Sequence, residues 1–321
     1  MPVKHCKNSC FAAHLPILLL VAAFSAEASD ARASQCVSIT DDMDRLRCYD
    51  AAYERAAVAD DLPAYEERLR AEERDQHDWF AITPHKPTYI LPATYNFNSN
   101  YDAYGEFGEF FIDEELKFQV SLKTQLWPGM IGDSSLWFAY TQQSYLQLYA
   151  DSDASAPFRE TNYQPELFWS IPTNFEFFGL RGRTVNLGLN HQSNGQSDPL
   201  SRSWNRITGE LVFEGNRTLY SLKTWVRVDD PENDNNPNIE DYMGRVELGW
   251  VYKGENHVFD AWFKNNLSST NRSSFEINWA FPLAQHLRGY LQFFTGYGEN
   301  MIDMENNNTR IGVGIALTDW L

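Results

Sequence analysis

The chain has 321 residues, with 26 Lys and Arg against 44 Asp and Glu, for a formal net charge of −18. That acidity argues against a nucleic-acid partner, which needs a basic face. Beyond the N-terminus no apolar run reaches the ~18 residues of a spanning helix, and the mean hydropathy is −0.48, so a helical membrane bundle is excluded. A transmembrane β-barrel stays open, because only alternate residues of its strands meet lipid.

The first residues carry Lys4 and Lys7, then the apolar run from Leu15 to Phe24, then small residues at Ala26, Ala28, Ala31 and Ala33. This is the order of a secretory signal. It predicts a signal over 1–28, with cleavage as late as 33. The rival is an N-terminal anchor, for which the run is short. Cys6 and Cys10 would leave with the signal. Cys36 and Cys48 would enter a compartment that permits disulfides; spacing leaves a bridge and two free thiols both open.

Residues 29–80 read as a helical, partly disordered periplasmic extension. Asp41 to Arg47 and Pro63 to Arg74 are rich in helix formers. Their apolar content is too low for an independent core.

From residue 81 to 321 the pattern changes to period two, the mark of strands with two unlike faces. Leu116, Phe118, Val120 and Leu122 alternate with Lys117, Gln119, Ser121 and Lys123. Similar alternation runs through Val246–Tyr252, Phe275–Phe281 and Ile311–Leu317. About twelve such segments are separated by turns. The apolar face is aromatic, which suits membrane-interface girdles, and the other face mixes small residues with charges, which suits a filled lumen. The prediction is an all-β, transmembrane, antiparallel barrel of about twelve strands in the outer membrane. A soluble, secreted β-sandwich esterase is the rival.

The segment Asn190 to Arg206 is the most informative. Residues i and i+2 of a strand share a face, so His191 and Ser193 sit side by side. A hairpin brings Asn205 back towards them. Parity sets all three outward: Val185, Leu187 and Leu189 lead to His191 and Ser193, and Asn205 shares the face of Ile207, Leu211 and Phe213. A base, a hydroxyl and a neutral orienter are the parts of a nucleophilic hydrolase. On a lipid-facing wall they are costly, and they make sense if the substrate is a lipid. Backbone N–H groups of the Asn194-Gly195 turn are oxyanion candidates. Ser197, Asp198 and Ser201 offer oxygens suited to Ca²⁺. The same Asn-Gly, Asp-Pro and Ser residues are also ordinary turn formers, and a catalytically silent barrel (a pore or a structural protein) remains the alternative.

The run Asn190-His191-Gln192-Ser193-Asn194-Gly195, with Ser197-Asp198-Pro199 and Ser201 to Arg206, resembles the outer membrane phospholipase A family. So do Ser155 to Tyr163, Asp241 to Gly244 and Gly296 to Glu299. The resemblance covers about Pro87 to Leu321. It implies calcium-dependent hydrolysis of acyl esters of phospholipids and lysophospholipids, of the A1/A2 type, by a homodimer. It implies Ser193 as nucleophile, His191 as base, Asn205 as orienter and the Gly195 amide in the oxyanion hole. The implied calcium ligands are the Gln196 carbonyl, the Ser201 side chain and the Ser155 carbonyl of the partner subunit. A second family calcium site would use Asp198 and the position of Asn235, which lacks the family's carboxylate. Gln142 matches a glutamine at the dimer interface.

Overall fold

The computed structural model describes residues 36–52, 63–75, 81–151, 158–228, 234, 236–284 and 287–320. The expected signal, Ser155 and Asn235 lie outside them. The chain divides into two compact units, residues 1–62 and 63–321. In the first, helix α1 (Asp42–Ala52) carries Cys48, which forms a disulfide with Cys36, so of the two options the bridge is the one observed.

The second unit is the barrel. Its strands are β1 (Ile82–Pro84), β2 (Thr88–Asn96), β3 (Glu114–Ile131), β4 (Ser134–Leu146), β5 (Phe158–Phe177), β6 (Leu180–Ser193), β7 (Ser203–Glu214), β8 (Thr218–Val228), β9 (Val246–Lys253), β10 (Val258–Asn265), β11 (Ser273–Ala284), β12 (Leu287–Gly296) and β13 (Asn308–Thr318). Each pairs antiparallel with its sequence neighbour from β2 onward, and β13 pairs back onto β2, which closes the ring at twelve strands. The additional strand, β1, sits on the edge of β3 beyond the end of β2, pairing Ile82 with Thr124. Closure removes the free edges that hydrocarbon would not tolerate.

The alternation read from the sequence sorts the side chains as expected. Leu187, Leu189, Ile207, Ile311 and Val313 are exposed on the outer face, while Lys117, Thr208, Glu214, Asn278 and Arg310 are buried within. Short turns join the strands at one end, such as Gly132-Asp133 and Phe178-Gly179. Long connections, such as 97–113 and 297–307, cluster at the other. In outer-membrane barrels the short turns face the periplasm.

The lumen holds more than charge pairs. At the turn end, Val212, Leu219, Val251, Val258, Tyr89 and Tyr290 form an apolar cluster, against which Tyr65, Trp262 and Trp320 pack. Tyr65 belongs to helix α2 (Ala64–Asp75). Arg68 of α2 donates to the carbonyls of Trp320 and His85, Glu72 pairs with Lys123 at 2.9 Å, and Arg183 pairs with Glu66 at 2.9 Å. The sequence showed α2 as a charged helix without a core of its own. The structure places it in the barrel unit, where the barrel's lining supplies both its apolar contacts and its counter-charges.

At the long-loop end an ion network fills the lumen. Glu115 pairs with Arg159 and, at 2.8 Å, with Arg310. Arg310 also pairs with Glu299 at 2.9 Å, and Lys117 reaches the same carboxylate at 3.3 Å. These side chains are essentially inaccessible to solvent, and every one has an opposite charge beside it. Between α2 at one end and this network at the other, the lumen keeps a cavity of about 150 Å³ lined by Lys86, Gln119, Gln143, Glu247 and Trp262.

Candidate active site

The site lies where β6 and β7 reach the long-loop end. Their register pairs His191 directly with Asn205, and Ser193 with Ser203; on the other side Ser193 pairs with Tyr163 of β5. Antiparallel partners lie about 5 Å apart at Cα, so a side chain from each can meet across the ladder. His191 and Asn205 do so: His191 Nδ1 lies 2.8 Å from Asn205 Oδ1. A carboxamide oxygen only accepts, so His191 Nδ1 carries the proton and donates it.

His191 and Asn205 are exposed and Ser193 is half-buried, on the same outer face as Leu187, Leu189 and Ile207. Residue 192, between them, is buried in the lumen, where Gln192 Oε1 accepts from Trp204 Nε1 at 2.9 Å. The outward parity of all three candidates therefore stands.

Beyond Ser193 the chain leaves the sheet through the 194–202 loop. The Gly195 N–H donates to Ser193 Oγ at 3.2 Å, so an amide points at the hydroxyl. Gly195 has φ +67°, and a Cβ there would come within 2.9 Å of the Tyr163 ring. Glycine is needed twice over, for its left-handed backbone and for the close approach of the aromatic ring. Tyr163 entered the sequence reading only inside a matched stretch. Its parity, shared with the outward Leu167 and opposite Gln142 on β4, was the signal that places it beside Ser193.

The remaining candidates divide. Gln196 and Asp198 are exposed on the loop and Ser201 is half-buried. Ser155 and Asn235 fall outside the described residues. Among the described residues no group of three or more His, Cys, Asp or Glu could hold a metal ion. A cation here would therefore depend on carbonyl and hydroxyl oxygens, the donor set of the Gln196 carbonyl and the Ser201 side chain, which suits a hard cation such as Ca²⁺. Gln142 lies on the outer face, where its Oε1 accepts from Tyr140 Oη at 3.0 Å and its Nε2 donates to Ser144 Oγ at 3.2 Å.

A closed twelve-strand barrel with an apolar exterior defines an integral outer-membrane β-barrel protein. The model of the phospholipase A1 family matches residues 65–317. The phospholipase A1 of Klebsiella pneumoniae is 39% identical over 267 residues, covering 82% of this chain and 92% of its own length. An Escherichia coli outer membrane phospholipase A, solved as an active-site mutant with an asparagine replaced by alanine, superposes with a TM-score of 0.71 at 38% identity, over 75% of this chain and 93% of that one. A Salmonella typhi outer membrane phospholipase, solved as a dimer with bound calcium, does so with a TM-score of 0.72 at 38% identity, over 77% and 96%. The chain belongs to the phospholipase A1 family. The expected fold, outer-membrane location and phospholipase class are thereby established. The match begins within α2, so the family model takes in that helix with the barrel.

Proposed function

We propose that the enzyme hydrolyses acyl ester bonds of phospholipids and lysophospholipids, of the A1/A2 type, with Ser193, His191 and Asn205 on the lipid-facing exterior. The carrying observation is the His191–Asn205 contact on the outer face, with the Gly195 amide aimed at Ser193 Oγ. Phospholipid acyl chains lie against that face, so the substrate's ester meets the site from within the bilayer.

The chemistry follows from these groups. His191 Nε2 takes the proton of Ser193 Oγ as the oxygen attacks the ester carbon. Asn205 keeps the ring in the tautomer that leaves Nε2 unprotonated, without burying a second charge in an apolar setting. The Gly195 N–H stands where it can donate to the oxyanion of the tetrahedral intermediate. When that intermediate collapses, the bond to the glycerol oxygen breaks and His191 returns the proton to it. Water, activated by the same imidazole, then releases the fatty acid from Ser193.

Calcium fits the loop's donor set, with the Gln196 carbonyl and Ser201 as ligands and the partner subunit's Ser155 as a third. Bound there it would supply positive charge beside the developing oxyanion. A second site at Asp198 and Asn235 would hold it less well, because one neutral amide replaces a carboxylate. The Salmonella typhi relative supports both the metal and the homodimer. Gln142 would contribute to that dimer, since its carboxamide keeps an N–H and a lone pair beyond its two partners.

The test is Ser193→Ala, assayed for phospholipid hydrolysis in detergent micelles with and without a calcium chelator. Hydrolysis should fall at least about 1,000-fold, with the folded barrel intact. The chelator should inactivate the native chain to a similar degree. Full hydrolysis by Ser193→Ala would return the protein to the class of catalytically silent barrels.

A further inference from the structure

The loop between β6 and β7 carries both backbone groups that the proposed reaction needs, the Gly195 N–H and the Gln196 carbonyl. One buried side chain organises it. Asn194 is 3% exposed and points away from the face that bears Ser193. Its main-chain N–H donates to the Arg202 carbonyl at 3.0 Å, one step beyond the last strand pair. Its side-chain Oδ1 accepts from the Arg202 N–H at 2.9 Å and from the Gln196 N–H at 3.3 Å. Its Nδ2 donates to the Leu200 carbonyl at 2.8 Å. A single carboxamide thus holds the loop at its start, near its end and at its closing strand.

The position of these contacts matters more than their number. Gly195 has φ +67° and no side chain of its own to hold it, and glycine has the widest backbone freedom of any residue. The two peptide units flanking it contain the N–H of Gly195 and the N–H of Gln196. Asn194 is covalently joined to the first and hydrogen-bonded to the second. Without that grip, both units could rotate about Gly195. The amide would lose its aim at Ser193 Oγ, and the next carbonyl along, that of Gln196, would turn with them. Arg202 reinforces the frame from outside, with Nη1 donating to the carbonyls of Pro199 and Ser201 at 2.9 and 2.8 Å.

We propose that Asn194 is a positioning residue for this reaction: its buried carboxamide sets the Gly195 amide towards Ser193 Oγ and presents the Gln196 carbonyl for calcium. The inference rests on the roles given to Gly195 and Gln196 under the proposed function. Asn194 touches neither substrate nor metal and acts only through those two backbone groups. Two separate properties, oxyanion stabilisation and metal affinity, should therefore fail together when one side chain is changed. A brace that merely kept the loop folded would move neither in the molecules that remain folded.

The experiment uses the folded full-length chain in detergent micelles, as native, Asn194→Ala and Asn194→Asp. Calcium binding is read without substrate by titration calorimetry, Ser193 reactivity by labelling with a sulfonyl fluoride at saturating calcium, and kcat and KM by hydrolysis. Asn194→Ala should bind calcium about 10-fold more weakly, in line with the loss of the one hydrogen bond, of its three, that holds the Gln196 peptide. Its kcat should fall on the order of 100-fold, the scale of a misplaced catalytic group, with KM little changed and labelling slowed in step. Asn194→Asp keeps the acceptor for Gln196 and Arg202 but opposes the Leu200 carbonyl with another acceptor, so it should lie between the two. A lowered unfolding midpoint with native calcium affinity and native kcat in the folded fraction would overturn the proposal. If Asn194→Ala does not fold, Asn194→Asp decides by the same two readings. Hydrolysis that survives Ser193→Ala sinks the proposed function itself. An inactive Ser193→Ala beside Asn194 variants of native affinity and rate sinks this inference alone.

Discussion

The two faces of the barrel wall treat polar side chains in opposite ways. Inside, Glu115, Arg159, Arg310, Glu299 and Lys117 are shut away from solvent, and every charge has its counter-charge. Outside, His191, Ser193 and Asn205 share a face with Leu187, Leu189 and Ile207; His191 contacts Asn205, and Ser193 Oγ accepts from the Gly195 amide. A network of paired charges shut inside the lumen is out of reach of a substrate in the bilayer. A small set facing hydrocarbon stands where a lipid substrate would meet it, as the proposed function requires. The difference separates polar residues that hold the barrel from those proposed to do chemistry on it, although the residue types overlap.

The sharpest way to break this distinction is to remove the outer groups and look for structural damage. His191→Ala should lower hydrolysis at least about 1,000-fold, and Asn205→Ala on the order of 10- to 100-fold, because the ring then loses only its orientation. Both should fold and unfold like the native chain in urea titrations in lipid vesicles. A large loss of stability with activity retained would put these residues on the structural side.

Removing an inner group should have the reverse signature. Arg310 on β13 bridges Glu115 and Glu299, which without it would keep only Arg159 and Lys117 as counter-charges. Arg310→Met should lower unfolding stability by about 1.5–3 kcal/mol, the worth of hydrogen bonds to charged groups. Activity per folded molecule should change less than twofold, since β13 lies across the ring from β6 and β7. Loss of activity without loss of stability would show that the lumen and the site are coupled.

These two regions differed equally in how far the sequence exposed them. The outer face was legible because its signal is local: a period of two through Leu187, Leu189 and His191 fixes direction, and the Asn-Gly turn fixes the hairpin that returns Asn205. The inner pairings were not. Glu115 and Arg310 are separated by almost the whole barrel and meet only because β13 closes onto β2, so no spacing in the chain marks them as partners. Charge on the inward parity of β3 was readable, but which charge it meets depends on closure and stagger. The same reason hid the placement of α2, whose counter-charges Lys123 and Arg183 lie on distant strands. Asn194 was read as a turn former because its three side-chain contacts become visible only when the loop is folded.

The smallest expected effect concerns α2, where inner pairing can be tested by pH rather than by mutation. Glu72 accepts from Arg68 at 3.0 Å and from Lys123 at 2.9 Å. Burial alone would push its carboxyl up, but Lys123 and Arg68 outweigh burial and hold it below the ordinary carboxylate range. A carboxylate depressed in the folded state adds stability that is fully present above its unfolded value, about 4.3. That stability is lost as pH falls through the folded value. Acidification from pH 6 towards pH 3 should therefore loosen α2 from the turn end of the barrel, by about 1–2 kcal/mol, the worth of hydrogen bonds to a charged group. Hydrogen exchange of the α2 amides, corrected for the intrinsic pH dependence of exchange, should show protection falling over this interval. Glu72→Gln should flatten that fall, because a neutral amide has no proton to take up. Equal α2 protection at pH 3 and pH 6 in the native chain would mean that Tyr65 and the apolar cluster hold the helix and that its charges are incidental.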